Sequence, residues 1–144
     1  LALYPEVPAA WRDPALGESW ALIRDLRRTV TGAIEVARAQ KQLGSSLQAA
    51  VEIFAEPAYV AALAGLDLAE LCITSAATIH AAPPPEGSFT LPEVPGVGVR
   101  VSLAPGEKCQ RCWRVLPEVG TVPEHDDLCR RCAAAVDALA PAGK

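Results

Sequence analysis

The chain has 144 residues, a net charge of −4 from 13 basic and 17 acidic side chains, and 51% hydrophobic residues. That length holds one domain or two small modules, and the apolar fraction excludes disorder along the whole chain. The acidic balance argues against a uniformly basic nucleic-acid binder, although a local basic face survives an acidic average.

No stretch of about 18 apolar residues occurs, so no transmembrane helix is expected. The opening residues lack a basic segment followed by an apolar run, so no secretory signal is expected. The chain contains no methionine, and we expect it to be a piece of a longer protein.

Residues 1–12 read as irregular, with Pro5 and Pro8 opposing regular structure. Asp13-Pro14 then reads as a helix start, with a side-chain acceptor at the N-cap and proline in the first turn. Leu16, Trp20, Ile23, Leu26, Val30, Ile34 and Ala37 recur at steps of three or four, an apolar stripe interrupted at Gly32. Leu43-Gly44 is the expected stop, giving a helix of roughly 40–45 Å whose length suggests a helical bundle. Its cations Arg24, Arg27, Arg28, Arg38 and Lys41 fall at mixed helical angles, the pattern of a solvated face.

The period then changes. Alternation over Ala49, Val51 and Ile53 predicts a strand to about Phe54, and Pro57 opens a short helix from Ala58 to Leu66. A second strand is expected within Leu71–Ile79, with Cys72 as a core residue, and a third over Val97–Val101. The proline-rich stretch 83–95 reads as a loop or semi-rigid linker. The fold class is therefore α+β: a long helix from a helical bundle, a small mixed α/β unit and a cysteine module. The expected boundaries are 1–47, 48–104 and 105–144.

The cysteine module carries the clearest chemistry. Cys109, Cys112, Cys129 and Cys132 form two C-x2-C pairs separated by 16 residues, the spacing of a four-cysteine zinc site. Each pair lets one tight knuckle present two sulfurs, and two knuckles complete a tetrahedron with Zn–S distances of about 2.3 Å. A shell filled by four thiolates leaves no position for water or substrate, so the expected zinc is single and structural. Disulfides, a redox dithiol and an iron–sulfur cluster are the competing uses of four cysteines. His125 lies in the gap, but four sulfurs already fill the shell.

Lys108, Arg111, Arg114, Arg130 and Arg131 flank the cysteines, and Trp113 directly follows one of them. The cations offset the −2 charge of a tetrathiolate zinc, or they serve with Trp113 as a nucleic-acid face, cations on phosphates and the ring on a base. Glu118, Glu124, Asp126 and Asp127 nearly cancel that charge, so such a face is directional. No phosphate-binding loop, nucleophile elbow or paired-carboxylate motif occurs, and no catalytic residue is assigned.

The pattern W-x5-L-R-x2-V-x3-I-E-x-A-R-x2-K-x-L-G-S-S-L from Trp20 to Leu47 resembles the C-terminal part of the bacterial isoleucyl-tRNA synthetases. So do Ala49–Ile53, the run from Lys108 to Trp113, and the block Val119-Gly120, His125 and Cys129–Cys132. The resemblance covers about residues 3–136. It implies a zinc-finger piece of a cytoplasmic, ATP-dependent ligase, which helps hold the anticodon stem-loop of tRNA(Ile). The nucleotide-binding and editing domains would lie upstream, in the same chain, so the fragment alone should be inactive. The implied RNA contacts are Lys108, Arg111, Trp113, Arg114, Arg130 and Arg131, with Arg38 and Lys41 on the helix; neither DNA nor membrane is an expected partner.

Two alternatives share the four-cysteine pattern. One is a free-standing zinc-finger interaction module for nucleic acid or protein. The other is the finger of an Fpg-type DNA glycosylase, whose chemistry needs a free N-terminal proline that Pro5 cannot supply.

Overall fold

The computed structural model describes residues 4–139. After a single 3-10 turn at Ala9–Trp11, helix α1 runs from Pro14 to Ala39, about 39 Å at 1.5 Å per residue. Asp13 caps its start, Oδ1 accepting from the Leu16 N–H at 2.9 Å. The helix stops earlier than Gly44. Lys41 adopts a left-handed conformation (φ 58°), and the N–H groups of Lys41 and Gln42 bond back to the carbonyls of Arg38 and Ala37. These two bonds are a Schellman motif built on lysine, which puts the left-handed residue three positions before the glycine and ends the helix at Ala39.

The next segment forms strand β1 (Ala49–Ala55), helix α2 (Pro57–Ala62), helix α3 (Leu68–Cys72) and strand β2 (Ala76–His80). Strands β3 (Phe89–Leu91) and β4 (Val94–Leu103) follow, and the sheet order is β2-β1-β4-β3. β1 lies parallel to β2 and antiparallel to β4.

Three expectations change. The apolar run 71–79 is a helix turn followed by a strand. Asp67 caps α3 through the Glu70 N–H at 3.0 Å, and Ile73 ends it with φ 56°. Short apolar runs of this kind do not separate helix from strand by period alone. Cys72 is buried as expected, on α3 instead of a strand. The proline-rich stretch contains β3 and the start of β4, because the register shifts between Thr90 and Leu91 and lets Pro95 sit where the ladder is irregular.

One core joins helix and sheet. Ile23, Leu26, Val30, Ala33, Ile34 and Ala37 of α1 pack against Val51, Ile53, Val97 and Val99. Gly32 interrupts the stripe because the Phe89 ring lies there; a Cβ at this position would sit 2.8 Å from it. The stripe is unequally covered: Leu16 and Trp20, in the first turns, are 54% and 39% exposed.

The finger has a separate small core. A hairpin of β5 (Glu107–Lys108) and β6 (Val115–Leu116) carries the first cysteine pair, and helix α4 (Arg130–Leu139) begins at the second. Val119, Leu128 and Ala133 pack around the cysteines.

Candidate metal centre

The sulfurs of Cys109, Cys112, Cys129 and Cys132 all lie within 4.8 Å of one another, and all four cysteines are free thiols. A tetrahedral ion with bonds of about 2.3 Å requires sulfur–sulfur edges of about 3.8 Å. The Cys112–Cys129 pair stands at 3.8 Å. No sulfur pair is a disulfide, and the set fits one zinc ion as a closed structural site. His125 stays outside it, with Nε2 2.8 Å from Asp137 Oδ1.

Backbone geometry explains how two cysteines reach one ion. In the first knuckle the Trp113 N–H donates to the Cys109 carbonyl and the Cys109 N–H to the Arg114 carbonyl, both at 2.9 Å. Closing this turn places Trp113 at φ 66°, a conformation that costs a bulky residue about 1–3 kcal/mol. Gly106 makes the approach to this knuckle possible: with φ +108°, it leaves only 2.3 Å between a hypothetical Cβ and the Leu116 backbone.

Donors surround the sulfurs. The Cys129 N–H reaches Cys109 Sγ at 3.3 Å, and Arg111 reaches Cys132 Sγ at 3.6 Å. Burial opposes ionisation of Cys109, but backbone N–H groups of Cys112, Cys129 and Arg111 outweigh it and hold the thiol at about 6. Burial pushes Cys129 up to about 12. Such N–H donors favour thiolate, the form that ligates zinc.

The basic residues around the site divide into two groups. Arg111 faces Cys132, Arg114 donates to the Ser75 carbonyl at 2.8 Å, and Arg131 pairs with Glu70 at 2.5 Å. These three are engaged within the protein. Arg130 is exposed, and its backbone N–H donates to Glu118 at 3.1 Å. Lys108 behaves differently: its Nζ lies 5.0 Å from the centroid of the Trp113 ring, and Trp113 is 58% exposed.

Lys108 and Trp113 line a cleft of ≈ 190 Å³ whose opposite wall is Ser45–Gln48, the segment just after α1. Gln48 also borders a shallow groove with Arg38, Lys41 and Gly44. Arg38 is held by Glu35 at 2.8 Å, while Lys41 is exposed. Lys41 and Lys108, 67 residues apart in sequence, thus line two hollows that both border Gln48. Sequence reasoning did not single out Ser45–Gln48 or Ser75 as site residues. They are small or uncharged, and their importance lies in which segments the fold brings beside them.

A family described as "Zinc finger found in FPG and IleRS" matches residues 106–135. Over 138 residues, 95% of this chain, the sequence is 48% identical to an isoleucine–tRNA ligase of Brucella abortus biovar 1, of which it covers 14%. It is 47% identical over 141 residues to the isoleucine–tRNA ligase of Agrobacterium fabrum, covering 97% of this chain and 15% of that protein. The Ruegeria pomeroyi isoleucine–tRNA ligase is 48% identical over 134 residues, 92% of this chain and 14% of its own. The chain therefore spans about one seventh of the length of these relatives.

Proposed function

From a chain homologous to the finger-bearing region of bacterial isoleucine–tRNA ligases, we infer a tRNA-binding role: this region holds the anticodon stem-loop of tRNA(Ile). The ATP-dependent aminoacylation is carried out by other domains of a longer, cytoplasmic protein. In this reading residues 1–47 end a helical anticodon-binding domain, 48–104 form a junction and 105–144 are the finger and its tail. The exposed Leu16 and Trp20 then face the rest of that protein. Among the described residues no helix is long and apolar enough to cross a membrane.

The observation that carries the reading is that Gln48 borders two hollows, one lined by Arg38 and Lys41 and the other by Lys108 and Trp113. Together they offer what an unpaired loop needs: cations for phosphates and a solvent-facing ring for a base. Base–aromatic stacking contributes about 1–3 kcal/mol per base. Arg111 and Arg114 serve the same end indirectly, through their bonds to the Cys132 sulfur and the Ser75 carbonyl, while Arg131 pairs with Glu70 of α3. Arg130 is assigned to the solvated side of α4, within reach of longer-range attraction to phosphate.

The chain alone carries no residue set for isoleucine activation or editing. In this reading its contribution is affinity and register, with no chemical step.

The test is the salt dependence of tRNA(Ile) affinity in the longer ligase. Lys41→Ala and Lys108→Ala should each weaken binding and flatten the slope of log affinity against log salt, because each removes a phosphate contact. An unchanged slope in both variants would contradict the reading.

A further inference from the structure

The finger and the α/β unit do not share a hydrophobic core. Their buried apolar residues form two clusters with no member in common. Polar contacts therefore fix how the finger sits. One is the Glu70–Arg131 pair, both of whose side chains are more than half exposed, a setting in which an ion pair specifies orientation weakly. The others converge on Ser75, which is 2% exposed and lies between α3 and β2.

Ser75 uses every polar group it has. Its N–H donates to the Ala49 carbonyl at 3.0 Å, and its hydroxyl donates to the Leu47 carbonyl at 2.5 Å. The same oxygen accepts from the Val115 N–H at 2.6 Å, and the Ser75 carbonyl accepts from Arg114 at 2.8 Å. Leu47 and Val115 stand on opposite walls of the cleft that holds Lys108 and Trp113. A single oxygen thus ties the two walls together, one by its proton and one by a lone pair.

Resting on the tRNA-binding reading above, we propose that Ser75 is a positioning residue for tRNA recognition: its hydroxyl sets the spacing between Ser45–Gln48 and the Trp113 face of the finger. It touches no RNA. Removing the hydroxyl leaves the part-buried Leu47 carbonyl and Val115 N–H without that partner, and the walls separate or admit water to satisfy them. The zinc site remains, because none of the cysteines is bonded to Ser75. Arg114 supports the same junction from the finger side.

The experiment compares Ser75→Ala, Trp113→Ala and the double variant in the full-length ligase. Zinc content, isoleucine-dependent pyrophosphate exchange and steady-state charging of tRNA(Ile) are the readouts. Ser75→Ala should keep one zinc and normal pyrophosphate exchange, and raise KM for tRNA by about tenfold with kcat unchanged. The double variant should be little worse than Trp113→Ala, since Ser75 acts through that face.

A normal KM in Ser75→Ala beside a raised KM in Trp113→Ala overturns the proposal and leaves the tRNA-binding reading standing. A normal KM in both overturns that reading itself. Loss of zinc or of pyrophosphate exchange in Ser75→Ala gives the residue a purely structural role and also overturns the proposal. Should Ser75→Ala fail to fold, Ser75→Cys puts a larger, weakly bonding thiol in place of the hydroxyl. It must then show a rise in KM for tRNA with zinc retained, and a normal KM there counts against the proposal.

Discussion

Removing the metal should unfold the finger and leave the helix-and-sheet core intact. Among the described residues the finger's own apolar core holds two large buried aliphatic side chains, Val119 and Leu128, with Leu116, Val122 and Val136 partly covered. Fully burying two such side chains contributes about 3–6 kcal/mol. Zinc binding to a four-ligand site contributes about 10–16 kcal/mol near neutral pH, so the ion is the larger part of what holds this module. The remaining core depends on none of it: Leu26, Val30, Val51, Ile53 and Val99 are buried among themselves. Amide hydrogen exchange before and after treatment with a strong chelator reads both halves at once. Protection should vanish over 106–135 and persist in α1, β1 and β4. A finger that stays protected without metal, or a sheet that melts with it, refutes the reasoning.

Native, zinc-loaded protein should expose no rapidly reacting thiol, chelated protein four, and denatured protein five. Cys72 is the late one, because burial pushes its thiol up to about 11 from the ordinary 9.0, with Arg27 pulling the other way. Its folded pKa is raised, so the contribution to stability is complete below about 9 and disappears as pH climbs through about 11; alkylation of native protein and urea titrations across that range should both report it. Gly106→Ala should weaken zinc retention and destabilise the finger by at least about 1–3 kcal/mol, since its Cβ would meet the Leu116 backbone at 2.3 Å; a chelator-competition assay with normal retention would refute this. Arg131→Ala should change thermal stability by less than about 1 kcal/mol, the range for an exposed pair such as Arg131–Glu70.

The legible parts of the chain were those where one residue type has one use. Two C-x2-C pairs announce a metal site because no other arrangement uses four thiols so economically, and their sulfurs meet as that spacing requires. The α1 stripe was equally plain, and Asp13-Pro14 marked its start. Its end was misread because the glycine rule assigns a left-handed residue to Gly44, whereas Lys41 takes it. The strand β3 was hidden among prolines, whose effect depends on whether the ladder needs their missing N–H. Least legible was the placement of the cations. Arg111, Arg114 and Arg131 are chemically equal to Lys108 in sequence, yet three are engaged by Cys132, Ser75 and Glu70. Such partners are set by the docking of finger on sheet, which no local pattern encodes.

The central claim is that the end of the long helix and the finger form one surface for tRNA. Hydrogen exchange of the longer ligase with and without tRNA(Ile) tests it directly. Added tRNA should slow exchange in both 41–48 and 107–114, the segments that carry Ser45–Gln48 on one side of the cleft and Lys108 and Trp113 on the other, and leave the outward side of α4 unchanged. Protection confined to only one wall, or absent from both, would contradict the account.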